Sequence, residues 1–203
     1  QCERAIAPVR SVRRIGYLVP KFPDMTHAFF WREVSALRAD GVEVTLISTR
    51  CPVASKGGGE HPFAAQARRE TRYLDRGVVG ALGWLSIRPR AVIRAMAYAI
   101  SLPEGGWRDR LLALAMLPAA ANLCRLVRHG SLEHVHIHSC ANAAHLGALA
   151  HRLDGVSPSL TLHGDLPVYG RDHRRKMERT RFVSTVTRPL HGQVVDVAGL
   201  PAA

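Results

Sequence analysis

"RRIGYLVPKFPDMTHAFFWREVSALRADGVEVTLIST" (residues 13–49) holds an apolar run, an amphipathic run and a second apolar run in succession. The first, "RRIGYLVP" (13–20), reads as a short buried strand that Pro20 ends, because proline has no N–H to give to a ladder. In "THAFFWREVSALRADG", Phe29, Phe30, Glu33, Val34 and Leu37 recur at helical spacing. Thr26 is suited to the N-cap and Gly41 to the C′ position. "VEVTLIST" (42–49) is rich in β-branched residues and reads as a second strand. Strand, helix and strand over so short a span make a βαβ unit, which requires a parallel pair and a right-handed crossover.

Working outward, "RCPVASKGGGEHPF" (50–63) is polar and reads as an exposed loop, and "ETRYLD" (70–75) as a short strand. Residues 78–130 are helical in pattern, punctuated by Pro89, Pro103 with Gly105-Gly106, and Pro118. The alternation then resumes. "EHVHIHS" (133–139) is a strand, "ANAAHLGALAHRLDG" a helix closed by Gly155, and "PSLTLHG" the next strand. A basic helical stretch follows at 171–179, then a strand "RFVSTVT" (181–187) and a last helix "RPLHGQVVDVAG". This order predicts an α/β fold, doubly wound, with a mostly parallel sheet and helices on both faces. One Rossmann-like domain is expected over 13–203, preceded by an extension, 1–12. Such sheets bind ligands outside the carboxyl ends of their strands.

Composition narrows the classes. The 203 residues suffice for one full core, and 47% hydrophobic with 22% charged residues excludes a disordered or fibrous chain. Lys+Arg 28 against Asp+Glu 16 gives a net charge of +12, which suits polyanions: nucleic acid, anionic lipid or phosphorylated small molecules. The four cysteines (Cys2, Cys51, Cys124, Cys140) include no CxxC pair, so neither a zinc module nor a dense disulfide framework is indicated. The longest apolar run, "LLALAMLPAAANL" (111–123), has 13 residues and contains Pro118. It falls short of the roughly 20 needed to cross a bilayer. The opening residues have no signal-peptide core, and a cytoplasmic protein is expected.

Four places could carry chemistry. The loop 20–33 joins a strand to a helix N-terminus, where free N–H groups favour anions, but it lacks the GxGxxG of a dinucleotide site. The "GGG" at 57–59 has neither the preceding strand nor the Lys-Ser/Thr of a P-loop and reads as a flexible turn. His134, His136 and His138 alternate onto one strand face. A His-x-His pair can ligate zinc, yet no acidic or thiol ligand follows at a telling distance. These rings are expected to be packed and hydrogen-bonded, with His138 nearest the cleft. His163 ends an apolar strand. Gly164 after it allows close approach to the backbone, and Asp165 stands near enough in sequence to bias its tautomer or charge.

Taken in order, "FPDMTHAFFWREVSALRADGVEVTLIST", "HVHIHSCANAAHLGALAHRLDGVSPSLTLHGDLPVY" and "KMERTRFVSTVT" resemble the N-terminal domain of retaining glycosyltransferases of the GT-B type. Within these the chain is most similar to the family 4 class of bacterial exopolysaccharide and colanic-acid synthesis. Thr26, Phe29, Arg32 and Glu33 match the first loop and helix of that class, while His27 and Ala28 replace its commoner Glu and Thr. His136 and His138 match its histidine strand, and Thr161, His163 and Gly164 its Thr-x-His-Gly stretch, with Asp165 one place earlier than the usual acid.

The resemblance implies the acceptor-binding half of a sugar transferase. His163 would be catalytic, facing the transferred sugar. Thr26, His27, His138, Gly164 and Asp165 would bind substrate. A nucleotide-sugar would serve as donor substrate rather than cofactor, a glycan or lipid-linked molecule as acceptor, and no metal would be required. A C-terminal nucleotide-sugar domain with its E-x7-E motif has no counterpart in the sequence, so a truncated or split enzyme, inactive alone, is expected. In this setting the basic, apolar stretches 88–102 and 107–129 would rest on an anionic inner membrane surface. The alternative is packing of the same helices on the sheet. A competing reading makes "ARRETRYLDR" (67–76) and "RDHRRKMERTR" (171–181) the phosphate contacts of a nucleic-acid-binding module, or makes the chain a non-catalytic partner-binding module. No recognised nucleic-acid fold signature supports the first.

Overall fold

The computed structural model describes residues 13–52 and 62–199. The extension 1–12 and the glycine run 57–59 lie outside the described residues. Six strands form one sheet: β1 (Arg14–Leu18), β2 (Glu43–Ser48), β3 (Arg72–Tyr73), β4 (His134–Ile137), β5 (Pro158–Leu162) and β6 (Val183–Thr185). Every pairing is parallel and the order is β3-β2-β1-β4-β5-β6, that of a doubly wound α/β fold. The order reverses between β1 and β4, so the crevice of the fold lies outside the carboxyl ends of those two strands.

The connections are helical: α1 (Ala28–Ala39), α2 (Ala64–Glu70), α3 (Val78–Ser86), α4 (Pro89–Ile100), α5 (Trp107–Ala115), α6 (Leu117–His129), α7 (Asn142–Asp154), α8 (His173–Met177) and α9 (Arg188–Ala198). On one sheet face Tyr17, Val19 and Leu46 pack against Phe30 and Val34 of α1 and Ala67 of α2. On the other face Leu18, Ile47, Val135, Ile137, Leu160 and Leu162 meet the apolar sides of α6, α7 and α9. The helices α3 and α4 lie against α6 and α7. Gly41 and Gly155 end α1 and α7 at φ +82° and +71°, the left-handed region in which a Cβ is strained.

Two local expectations are corrected. Thr26 does not cap α1. A 3-10 turn (Met25–His27) precedes the helix, His27 is its N-cap residue, and no side chain caps it. The chain is already coiled at Thr26, because the His27 N–H donates to the Asp24 carbonyl oxygen at 3.0 Å. A capping hydroxyl needs extended backbone at its own residue. Thr187 provides the contrast: it is extended, and its hydroxyl accepts from the Leu190 N–H of α9.

The second correction concerns apolar length. The helices α5 and α6 follow each other through Met116, and the 23 residues Trp107–His129 are long and apolar enough to cross a membrane by length and composition. Much of the apolarity in α6 serves the core, where Ala120, Ala121, Leu123 and Cys124 are buried. On α5, Trp107, Leu111 and Leu112 are exposed. The segment 88–102 likewise does two things. Ala91, Ala95, Tyr98 and Ala99 of α4 are buried, while Ile93, Met96 and Ile100 form an open stripe.

Leu160 is fully buried on β5, between β4 and β6. Leu160→Ala is expected to cost about 2–5 kcal/mol, from lost transfer free energy plus the cavity left behind. Urea unfolding at neutral pH measures this. A loss below about 1 kcal/mol would contradict the placement of that side chain in the core.

Candidate functional site at the carboxyl rim

Alternation along β4 turns His134, His136 and His138 to the face that carries Tyr17 of β1 and Ser159 and Thr161 of β5. The outer part of this face is polar. Ser159 Oγ lies 2.6 Å from both His134 Nε2 and His136 Nδ1, and Thr161 Oγ1 lies 2.9 Å from His136 Nε2. A hydroxyl has one proton, so Ser159 donates to at most one of the two rings and accepts from at least one. The rings of His134 and His136 also stack on Phe182. These two histidines are thus packed and bonded along the strand. Among the described residues no three His, Cys, Asp or Glu side chains come together as a metal site.

At the carboxyl rim the next pair, His138 and His163, project from the residues just past β4 and β5. Their Nδ1 and Nε2 atoms are 3.2 Å apart. His138 is 5% exposed and wedged between Tyr17 and Phe30, with ring centroids at 4.3 and 4.8 Å. Burial, reinforced by the neighbouring His136 and His163, pushes its pKa down to about 2, so the ring is neutral. Its Nε2 is buried without a partner. The cheaper of the two tautomers places the proton on Nδ1, where it is donated to His163, and leaves only a lone pair among the aromatic rings. His163 then carries its own proton on Nδ1, on the far side of its ring from His138.

His163 itself is exposed. Partial desolvation lowers its pKa, with Phe29 and Phe30 each 5.4 Å away, and the Glu33 carboxylate on α1 opposes the shift. Glu33 accepts a 2.8 Å bond from the Tyr17 hydroxyl, whose pKa is raised by burial and then by this carboxylate. The His163 backbone N–H donates to the Tyr169 hydroxyl oxygen at 2.9 Å. That tyrosine ends the 3-10 turn Leu166–Tyr169.

The other sequence candidates divide. His27 joins the cluster through Phe30, its ring 5.1 Å away edge-on, with Nδ1 buried and unpartnered. Burial lowers its pKa, and Asp24 opposes that. Thr26 is exposed on the turn before it. A Cβ on Gly164 would meet only the Tyr169 hydroxyl, at 3.8 Å, so the backbone there is open to approach. Asp165 turns elsewhere: its Oδ1 accepts from Gln193 Nε2 at 3.0 Å, and the carboxylate that bears on His163 is Glu33.

Beside this cluster the switch-point crevice opens into a groove of about 740 Å³. Lys21, Arg50, Ser139, Asn142 and Tyr169 stand on its walls, at the ends of β1, β2 and β4 and the start of α7. Two cations and a helix N-terminus, against the one carboxylate of Asp75 on the same lining, leave a net pull on an anionic ligand group. Tyr169 belongs both to this groove and to the His163 anchor. Sequence reading did not find Tyr169 or Arg50 as site residues, and it held Lys21 only within the loop 20–33 and Glu33 only as a match to the family's first helix. Their one sequence signal is position, just past strand ends or on the first helix.

In the basic run 171–181, Arg171, Arg174, Arg179 and Arg181 are exposed, while others are engaged within the protein. Arg175 pairs with Glu178 at 2.8 Å, Arg171 donates to the Glu104 carbonyl oxygen at 3.2 Å, and Lys176 is buried. No protein-family model matches the chain, and no curated protein matches it significantly in sequence.

The buried histidines dictate the acid response. His138, and His136 with a pKa pushed down to about 4 by burial, are depressed below the unfolded value of 6.5. The unfolded chain therefore takes up their protons first, and the stability they contribute is full above pH 6.5 and lost as pH falls below it. Urea unfolding between pH 7.5 and 4.5 is expected to show several kcal/mol of loss. The slope should be shallower in His138→Phe than in the wild type. An identical slope in that variant would contradict a buried neutral His138.

Proposed function

We propose that this chain forms the acceptor-side half of a retaining GT-B-type glycosyltransferase, moving a sugar from a nucleotide-sugar to a polysaccharide or lipid-linked acceptor. One observation carries the reading. His163 stands exposed at the carboxyl rim, is backed by the buried neutral His138, and lies next to a groove with Lys21 and Arg50 on its walls. The order of motifs that resembles the family runs through the same residues.

The chemistry fits a preorganised donor. In front-side retaining transfer the bond between the anomeric carbon and the leaving phosphate breaks while the acceptor oxygen bonds to the same face. The acceptor's proton passes to the departing phosphate. A neutral imidazole with its N–H turned outward gives a hydrogen bond to the sugar or to developing charge without taking part in that proton transfer. The aromatic edge of Phe29 beside it offers an apolar wall for a sugar ring. A second Rossmann-like half would supply the remaining donor contacts. The nucleotide-sugar is substrate, and no cofactor enters the scheme.

The same proposal places the protein in the cytoplasm, resting on an anionic membrane surface. The open stripe Ile93, Met96 and Ile100 of α4 and the exposed Leu111 of α5 would dip into the interface, with Arg90 and Arg94 reaching lipid phosphates.

Two outcomes follow. In the transfer-competent enzyme His163→Ala lowers transfer about 100-fold or more, the scale of losing one preorganised donor, with far-UV circular dichroism and Tm unchanged. A variant that keeps most of its activity removes His163 from the chemistry. Vesicles rich in anionic lipid co-sediment the protein and purely zwitterionic vesicles do not, and the double change Ile93→Asp, Ile100→Asp releases it. Equal sedimentation of wild type and variant would contradict the membrane face.

A further inference from the structure

A second cavity, of about 480 Å³, lies beyond the wall formed by Leu112, Met116, Asn142 and Tyr169, which both cavities share. Its floor holds Lys176 of α8, which is 3% exposed. The ammonium makes a single hydrogen bond, donating from Nζ to the Tyr169 carbonyl oxygen at 2.8 Å, and no carboxylate of the described residues comes within 4.0 Å of it. Buried lysines are ordinarily paired, because an unpaired charge away from water is costly. Two of the three protons on this nitrogen face no protein acceptor among the described residues.

Two carboxylates share the cavity wall, Asp109 and Asp172, so its lining sets the three cations Arg108, Arg171 and Lys176 against two anions. Asp109 Oδ2 accepts from the Gly106 N–H, and Asp172 Oδ1 from the Glu104 N–H, both at 2.9 Å. The first bond caps α5 from within its own first turn, and the second holds the loop before α5 to the start of α8. Meanwhile Arg108 and Arg171 line the cavity from two further segments, and Asn142 brings an amide from the first turn of α7. Trp107, 67% exposed, is also on the wall, with Arg108 over its ring at 5.3 Å. Three cations from three elements around one space, with a flat apolar ring beside them, match a group that has several peripheral anionic oxygens attached to a small ring.

We propose that this cavity binds a phosphate monoester of sugar size, with the Lys176 ammonium as the anchor of the phosphate. Arg108 and Arg171 complete the charge balance, and Trp107 covers the ring that bears the phosphate. The volume is in the range of small-ligand sites. The site is separate from His163, and the inference does not depend on the transfer reading: a protein that transferred no sugar would still bind the phosphate here.

Isothermal titration calorimetry with glucose 1-phosphate and with inorganic phosphate tests this, using neutral glucose as the comparison. Wild type is expected to bind glucose 1-phosphate saturably, glucose at least about tenfold more weakly, and Lys176→Met to lose saturable binding. Thermal unfolding reports the same event independently, since a ligand that binds only the native state raises Tm. It should raise the Tm of wild type and not that of Lys176→Met. Should Lys176→Met fail to fold, the exposed pair Arg108→Ala, Arg171→Ala decides, with an expected loss of about tenfold or more in affinity. Absence of saturable binding to wild type, or binding by Lys176→Met or the double variant at wild-type strength, overturns the proposal, as does glucose binding as tightly as its phosphate.

Discussion

The 3.2 Å contact between the His138 and His163 rings is the constraint on which the rim depends. It exists because β4 and β5 are paired in parallel with His136 beside Ser159, which carries His138 level with Thr161 and makes His163, two residues further on the same face, its diagonal neighbour. A slip of one residue would turn the histidines into the apolar face that Val135 and Ile137 now occupy. Phe30 closes the arrangement from α1, touching both rings. One buried neutral imidazole thereby fixes the proton, tilt and depth of an exposed one. A lone His163 on a strand end would rotate and titrate as a free side chain does.

The same rim concentrates the positive charge of the chain. Lys21 and Arg50 stand by the switch-point groove, Arg108, Arg171 and Lys176 by the second cavity, and Tyr169 between them. The excess of cations over carboxylates is thus not only a diffuse surface property. Part of it is paired within the chain: the exposed Arg128 holds Asp154, Arg152 and Arg175 hold Glu178, and both Arg152 and Arg175 lie over the Tyr98 ring. Within the basic run 171–181 this internal use involves Arg175 and Lys176, and Arg171, Arg174, Arg179 and Arg181 stay exposed.

Much of the fold was legible because it rests on short-range rules. The β-branched run at 43–48, the helical spacing of Phe30 and Val34, and glycines at 41 and 155 that tolerate left-handed backbone each specify local structure on their own. His163 at the rim followed from one step more, an apolar strand that ends on a polar residue. The errors fall where an outcome depended on a partner remote in sequence or on the backbone at a single residue. Asp165 was read as a neighbour of His163 because it is two residues away, whereas Asp165 pairs with Gln193 of α9 and the carboxylate that bears on the ring is Glu33 of α1. Thr26 has the chemistry of a cap but lies in a turn that is already coiled. Lys176 reads in sequence as one more member of a charged helix, and only the packing of α8 beneath Tyr169 buries it.

The most direct test of the account is the protonation of the two rim histidines, read from ring nitrogen shifts in a long-range ¹H–¹⁵N correlation spectrum between pH 5 and 8. The structure predicts that His138 stays neutral across that range with its proton on Nδ1, and that His163, when neutral, is protonated on Nδ1 as well. A His138 ring that becomes a cation near its ordinary value of about 6.5, or a neutral His163 protonated on Nε2, would contradict the arrangement from which its function is read.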